Sequence, residues 1–187
     1  MVTLPKLHLT ALILLLTASL PATMTERLSL EQMVERSERI VAGRCVRAWP
    51  AWDANRTAIW THYEVQVSDP LKGGAASTIT VSEPGGTVDG VTMLIEGMPQ
   101  YQVGDEVVVF LYRTPIGFWR TRGLGQGKFR VADGKVRGEG SGVVLVDPAG
   151  PPVGEKLTDL RRIDGMRLED FKAQVRNLAA GRTKGNQ

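Results

Sequence analysis

The chain has 187 residues, with 23 Lys and Arg against 20 Asp and Glu, one Cys and two His. That length suits one domain with short attachments. A zinc site or a disulfide scaffold needs several thiols or imidazoles close together, so the composition argues against both, and it leaves His- or Cys-based catalysis short of parts.

Residues 1–24 read as a signal peptide: Lys6 precedes an apolar run from Leu7 to Leu20, and cleavage after Ala22 or Ser19 suits small-residue processing. The expected location is therefore secreted or periplasmic. A membrane is a partner only if the leader stays uncleaved, since residues 7–25 carry no formal charge and a spanning helix needs about 20 apolar residues. Thr10, Thr17, Ser19 and Pro21 count against that anchor. Removing the leader takes Lys6 and His8 away, leaving 22 basic and 20 acidic residues, with His62 and Cys45 as the remaining imidazole and thiol. Nucleic acid is not expected, because it usually demands a concentrated basic face. Cys45 has no internal disulfide partner and lies in an apolar run, which predicts a small core residue.

Residues 25–146 are predicted to form one all-β domain, a barrel or a sandwich. Ser29 and Gln32 make a capping box for a short helix, with Leu28 and Met33 as its staple. The β-branched run Ile40–Val46 follows, with Gly43 marking a bulge or bend. Thr61, Tyr63, Val65 and Val67 alternate against His62, Glu64, Gln66 and Ser68, which predicts a half-buried strand with His62 outside. Ile79 and Val81 mark a third strand, and Glu83-Pro84-Gly85-Gly86 a turn. The run Glu106–Tyr112 is apolar on both faces and reads as the most buried strand. Strand-like segments at 118–121, 128–131 and 143–146, separated by Gly-rich turns, complete an all-β pattern. A loop at 147–165, an amphipathic helix at 166–181 carrying Leu168, Phe171, Val175 and Leu178 with Gly181 as its stop, and a disordered tail at 182–187 are expected beyond it.

Gly123–Lys128 lacks the spacing and the Ser or Thr of a Walker loop and reads as a tight strand connection. Glu83, Asp89, Glu96, Asp105 and Glu106 read as solvated turn carboxylates. No cofactor and no metal is expected. The informative group is aromatic. Trp49 and Trp52 bracket Pro50 and Ala51 in an expected loop between the first two strands, and Trp60 lies on the face opposite Tyr63. With Arg47, Arg56, Trp119 and Arg120 they form the candidate binding residues, because exposed aromatics interleaved with Arg suit partner side chains, sugars or bases.

The helix before Glu38-Arg39-Ile40-Val41-Ala42-Gly43-Arg44-Cys45-Val46, the strand Thr61–Val67, the turn Leu71-Lys72-Gly73, the strand Thr78–Val81 and the segment Val103–Leu111 together resemble the netrin-type module. That is the OB-like barrel of tissue inhibitors of metalloproteinases, and the same order is similar to that of uncharacterised exported bacterial proteins. The resemblance implies a mainly β fold, a small closed or partly open OB-like barrel with a short N-terminal helix and a C-terminal amphipathic helix. It implies a fold better than an activity. The inhibitors' N-terminal zinc-chelating Cys and disulfide framework have no counterpart here, so no inhibitory residue carries over. The expected function is an exported, non-enzymatic module that binds a protein through loops or a Trp-rich face. Binding of an envelope polysaccharide (a glycan) or a nucleotide on the aromatic face is the alternative, and a hydrolase using turn carboxylates the third.

Overall fold

A computed structural model describes residues 24–74, 76–138, 144–146 and 163–183. The predicted leader up to residue 23, most of the 147–165 loop and residues 184–187 of the predicted tail lie outside the described residues.

The chain opens with β1 (Met24–Glu26) and helix α1 (Leu30–Arg36). The capping box forms as the sequence requires: the Gln32 N–H donates to Ser29 Oγ at 3.2 Å and the Ser29 N–H to Gln32 Oε1 at 2.8 Å. Two long strands follow, β2 (Arg39–Trp52) and β3 (Ile59–Lys72), then β4 (Thr78–Pro84). A hairpin of β5 (Gly86–Val88) and β6 (Val91–Met93) precedes β7 (Glu106–Arg113) and β8 (Trp119–Thr121). A 3-10 turn at Leu124–Gly127 leads into β9 (Lys128–Ala132) and β10 (Lys135–Gly138). Residues Val144–Val146 form β11, parallel to β1, and Leu168–Thr183 form α2.

Seven strands make one sheet in the order β10-β9-β7-β2-β3-β4-β8, and β8 returns to pair with β7. Five strands therefore close into a ring, β7-β2-β3-β4-β8, which is the expected mainly β, OB-like barrel, partly open where β4 and β8 meet at a single bridge. Gly43 sits at a register shift between β2 and β3, and a Cβ there would stand 2.2 Å from the Gln66 carbonyl oxygen. The strands thus approach too closely for any other residue.

β7 separates two cores. Val107, Val109 and Leu111 point into the barrel with Val41, Cys45, Tyr63, Val65, Ile79, Val81 and Tyr101. Val108 and Phe110 point the other way, into a layer formed with α1, Phe129 and the α2 residues Phe171 and Val175. All five residues from Val107 to Leu111 are fully buried, which is why the sequence shows no alternation there. Phe171 stacks at 4.9 Å from the Phe129 ring and 6.3 Å from Phe110. At the helix edge Asp69 of β3 accepts from Lys172 and Arg176, each at 2.6 Å. Burial pushes that carboxyl up, but the two cations outweigh it and hold it below the ordinary range. Among the described residues no helix is long and apolar enough to cross a membrane.

Two expectations need correction. The segment bearing Trp49 and Trp52 is strand, not loop: β2 runs through Trp52, and the connection is confined to residues 53–58. Pro50 is tolerated because β7 pairs only with Arg39–Arg44, so β2 is an edge strand beyond that point and the missing N–H removes no second ladder. Helix α2 continues two residues past Gly181, since one Gly in a final turn costs only about 1 kcal/mol.

Truncating Phe171 to Ala is expected to lower the unfolding free energy by about 3–5 kcal/mol. Urea unfolding followed by circular dichroism checks this; a loss below about 1 kcal/mol would mean that α2 is not part of the cooperative core.

Candidate functional site

Register sets which aromatics meet. Trp49 stands opposite His62, and Ala51 opposite Trp60, so Trp49, Trp60 and His62 share the outer face of the β2–β3 pair. Phe118, just before β8, lies across them. Its ring is 5.0 Å from Trp60 at 68° and 5.6 Å from His62 at 81°, while Trp49 lies 5.4 Å from His62. The result is a continuous aromatic strip, Trp49–His62–Phe118–Trp60. Guanidinium groups cover its ends, Arg47 at 4.6 Å from the Trp49 ring and Arg120 at 5.8 Å from Trp60.

His62 is on the outer face, as its place in the alternation predicts, yet it is half-buried beneath these rings and its Nδ1 is 2.8 Å from Ser82 Oγ. Burial holds its imidazole below the usual value. Cys45 points into the barrel, fully buried, and burial pushes its thiol up. The two groups are therefore on opposite faces of the sheet and cannot act together.

Trp52 and Arg56 are not brought to this strip. Trp52 pairs with Ile59 and faces the other side of the sheet, with its indole N–H buried and lacking an acceptor among the described residues. The loop that follows is shaped by Asp53, which accepts from the Thr57 N–H at 2.7 Å and its hydroxyl at 2.6 Å. The Thr57 hydroxyl above all holds the Asp53 carboxyl below its ordinary value. Arg56 takes a left-handed conformation at φ 56°, and its guanidinium lies 5.4 Å from the Trp52 ring and 3.2 Å from Asp89. Trp119 takes a third position, packed against the barrel core between Arg39 at 4.9 Å and Arg113 at 5.7 Å.

The carboxylates divide differently from expectation. Asp89, Glu96 and Glu106 are exposed, but Glu83 is 2% exposed and belongs to β4 rather than to a solvated turn. Its Oε1 accepts the Thr121 N–H at 2.7 Å and its Oε2 the Arg120 Nε–H at 3.1 Å. Burial raises the Glu83 carboxyl above its ordinary value despite these two donors. The signal was present: Ile79, Val81 and Glu83 are in phase, so the strand's alternation carries Glu83 to the inner face. Beside it a cavity of about 200 Å³ is lined by Thr61, Tyr63, Met93, Leu94 and Met98 among others. Tyr101 closes this end of the barrel, its hydroxyl 2.5 Å from Thr121 Oγ1.

Comparison of the chain with protein-family models and with curated proteins finds no match.

Glu83→Ala leaves the Thr121 N–H and the Arg120 charge without their acceptor, and is expected to cost about 2–4 kcal/mol. Glu83→Gln keeps one acceptor and should cost less. Equal unfolding midpoints for all three proteins would exclude a closing role for Glu83. A base with a depressed folded-state pKa binds protons more readily when unfolded. His62 should therefore make stability fall as pH drops below about 6.5 toward its lower folded value. Urea titrations at pH 7.5 and 5.0 on wild type and His62→Gln check this, the variant being expected to lose that part of the pH dependence.

Proposed function

We propose that this chain is an exported, non-enzymatic binding module of netrin-like architecture, and that the outer strip Trp49–His62–Phe118–Trp60 with Arg47 and Arg120 is where it takes a protein partner. The carrying observation is the strip itself: half-buried Trp side chains beside Arg are the composition of binding hot spots. The non-enzymatic part is supported by the engagement of groups that catalysis would need free. Glu83 spends both oxygens on Thr121 and Arg120, and Cys45 and His62 face opposite ways.

Ring orientation favours a protein over a glycan or a nucleotide. Stacking on sugars or bases uses open, flat ring faces. Here Phe118 meets Trp60 and His62 nearly edge-on, and guanidiniums cover Trp49 and Trp60. A protein surface with carboxylates and apolar side chains suits that mixture of ring edges and cations.

The purified protein as bait on the extracytoplasmic fraction of its host is expected to retain a partner that a folded Trp49→Ala/Trp60→Ala variant loses. If wild type and variant retain the same proteins, the strip is not the binding face. Quenching of Trp fluorescence by oligosaccharides or oligonucleotides in the micromolar range would favour the alternative ligands instead.

A further inference from the structure

The gap in the ring beside β4 adjoins the outer strip and shares His62 and Phe118 with it. β4 has seven residues but meets β8 only through Val81 and Trp119. The Val67 N–H donates to the Ser77 carbonyl at 2.8 Å. In an antiparallel ladder alternate residues pair with one neighbour, so Ser77, Ile79 and Val81 face β3, while the main-chain groups of Thr78, Thr80 and Ser82 turn to the other side, where the Val81–Trp119 bridge takes the Thr80 carbonyl and the Ser82 N–H and leaves Thr78 and the Thr80 N–H open. There a groove of about 410 Å³ is lined by Arg39, Thr78, Thr80, Phe118 and Trp119 together with His62.

Open strand edges are normally guarded by Lys, Pro, a bulge or a covering element. Among the described residues this edge has none of these at its open half. Thr78 and Thr80 are exposed, β-branched and in unbroken register with Gln66 and Glu64 of β3, and Pro84 lies at the far end of the strand. The groove is also electropositive at one end, where Arg39 and Arg113 flank Trp119 and neither guanidinium is ion-paired among the described residues. The acids nearby are otherwise placed: Glu38 accepts the Arg113 main-chain N–H at 3.0 Å, and Glu64 lies on β3 opposite Arg47.

We infer that the open edge of β4 receives an extended, acidic segment of the protein partner by strand addition. The inference rests on the reading of this side of the barrel as partner-binding, and it specifies the chemistry of what binds. The segment's main chain pairs with Thr78 and with the Thr80 N–H, its alternate side chains meet Trp119 and Phe118, and a carboxylate reaches Arg39 and Arg113. Backbone pairing supplies affinity, and the cations with the Trp119 ring supply selectivity.

Selection of a random linear octapeptide library on the full chain tests this. The expected enrichment is for peptides with one Asp or Glu among alternating β-branched or aromatic residues. Synthetic copies should shift the amide resonances of Thr78 and Thr80 and the Trp119 indole, and lose about tenfold or more in affinity, roughly 1.4 kcal/mol, when their own strand amides are N-methylated. Arg39→Ala/Arg113→Ala should remove the preference for an acidic residue. Thr78→Pro, which deletes an N–H on the open side only, should abolish binding with the fold retained by circular dichroism. No enrichment, or enriched peptides indifferent to N-methylation and to both variants, overturns strand addition. The Trp49→Ala/Trp60→Ala variant separates the two readings. Peptides that still bind it while the bait experiment fails refute the outer strip alone, and a strip-dependent partner without edge-binding peptides refutes the edge alone.

Discussion

Between β4 and β8 the main chain makes one bridge, at Val81 and Trp119, and the closure is then continued by a side chain. The Glu83 carboxylate accepts the Thr121 N–H that a longer ladder would have paired with backbone, and its second oxygen holds Arg120 of the same strand. An unpartnered buried N–H costs about 1–3 kcal/mol, and the acid supplies here the acceptor that the short ladder lacks. The acid in turn is buried at a desolvation cost that raises its pKa, and its two donors partly offset that cost.

The candidate binding surface depends on this closure. β8 has three residues, and with Phe118 it brings in Trp119 and Arg120 as well. Arg120 serves both surfaces at once, ion-paired to Glu83 on one side and 5.8 Å from the Trp60 ring on the other. Phe118 bridges Trp60 and His62, and Trp119 ends the barrel between two guanidiniums. Short pairing at β4 and β8 therefore has two consequences: it requires Glu83 as a substitute partner, and it leaves the Thr78–Thr80 edge open.

Elsewhere stability comes from packing on both sides of β7. The inner core fills the ring, and the outer one is made when α1 and α2 cover Phe110 and Phe129. A single buried Cys45 contributes its volume and a weak bond from its Sγ–H to the Arg47 carbonyl at 3.6 Å. The Asp69 pair with Lys172 and Arg176 fixes the axial position of α2 against the end of β3.

The sequence by itself determined the elements whose signals are local. The capping box at Ser29 and Gln32, the alternation through Tyr63 and Val65, the two-sided apolar run at Val107–Leu111, the burial of Cys45 and the irregularity at Gly43 all show in residues near in the chain, and each was legible. The all-β class followed from them, with barrel and sandwich both open. What tertiary structure decided is which distant residues meet. Trp49 and Trp60 share a face with Phe118 while Trp52 is turned away, because a bulge between Cys45 and Arg47 sets the register of β2 on β3. Glu83 looked like a turn acid beside Pro84 and Gly85, and only its place opposite Thr121, 38 residues later, makes it the closing acid. Such pairings depend on the spatial path of the chain, which local alternation does not encode.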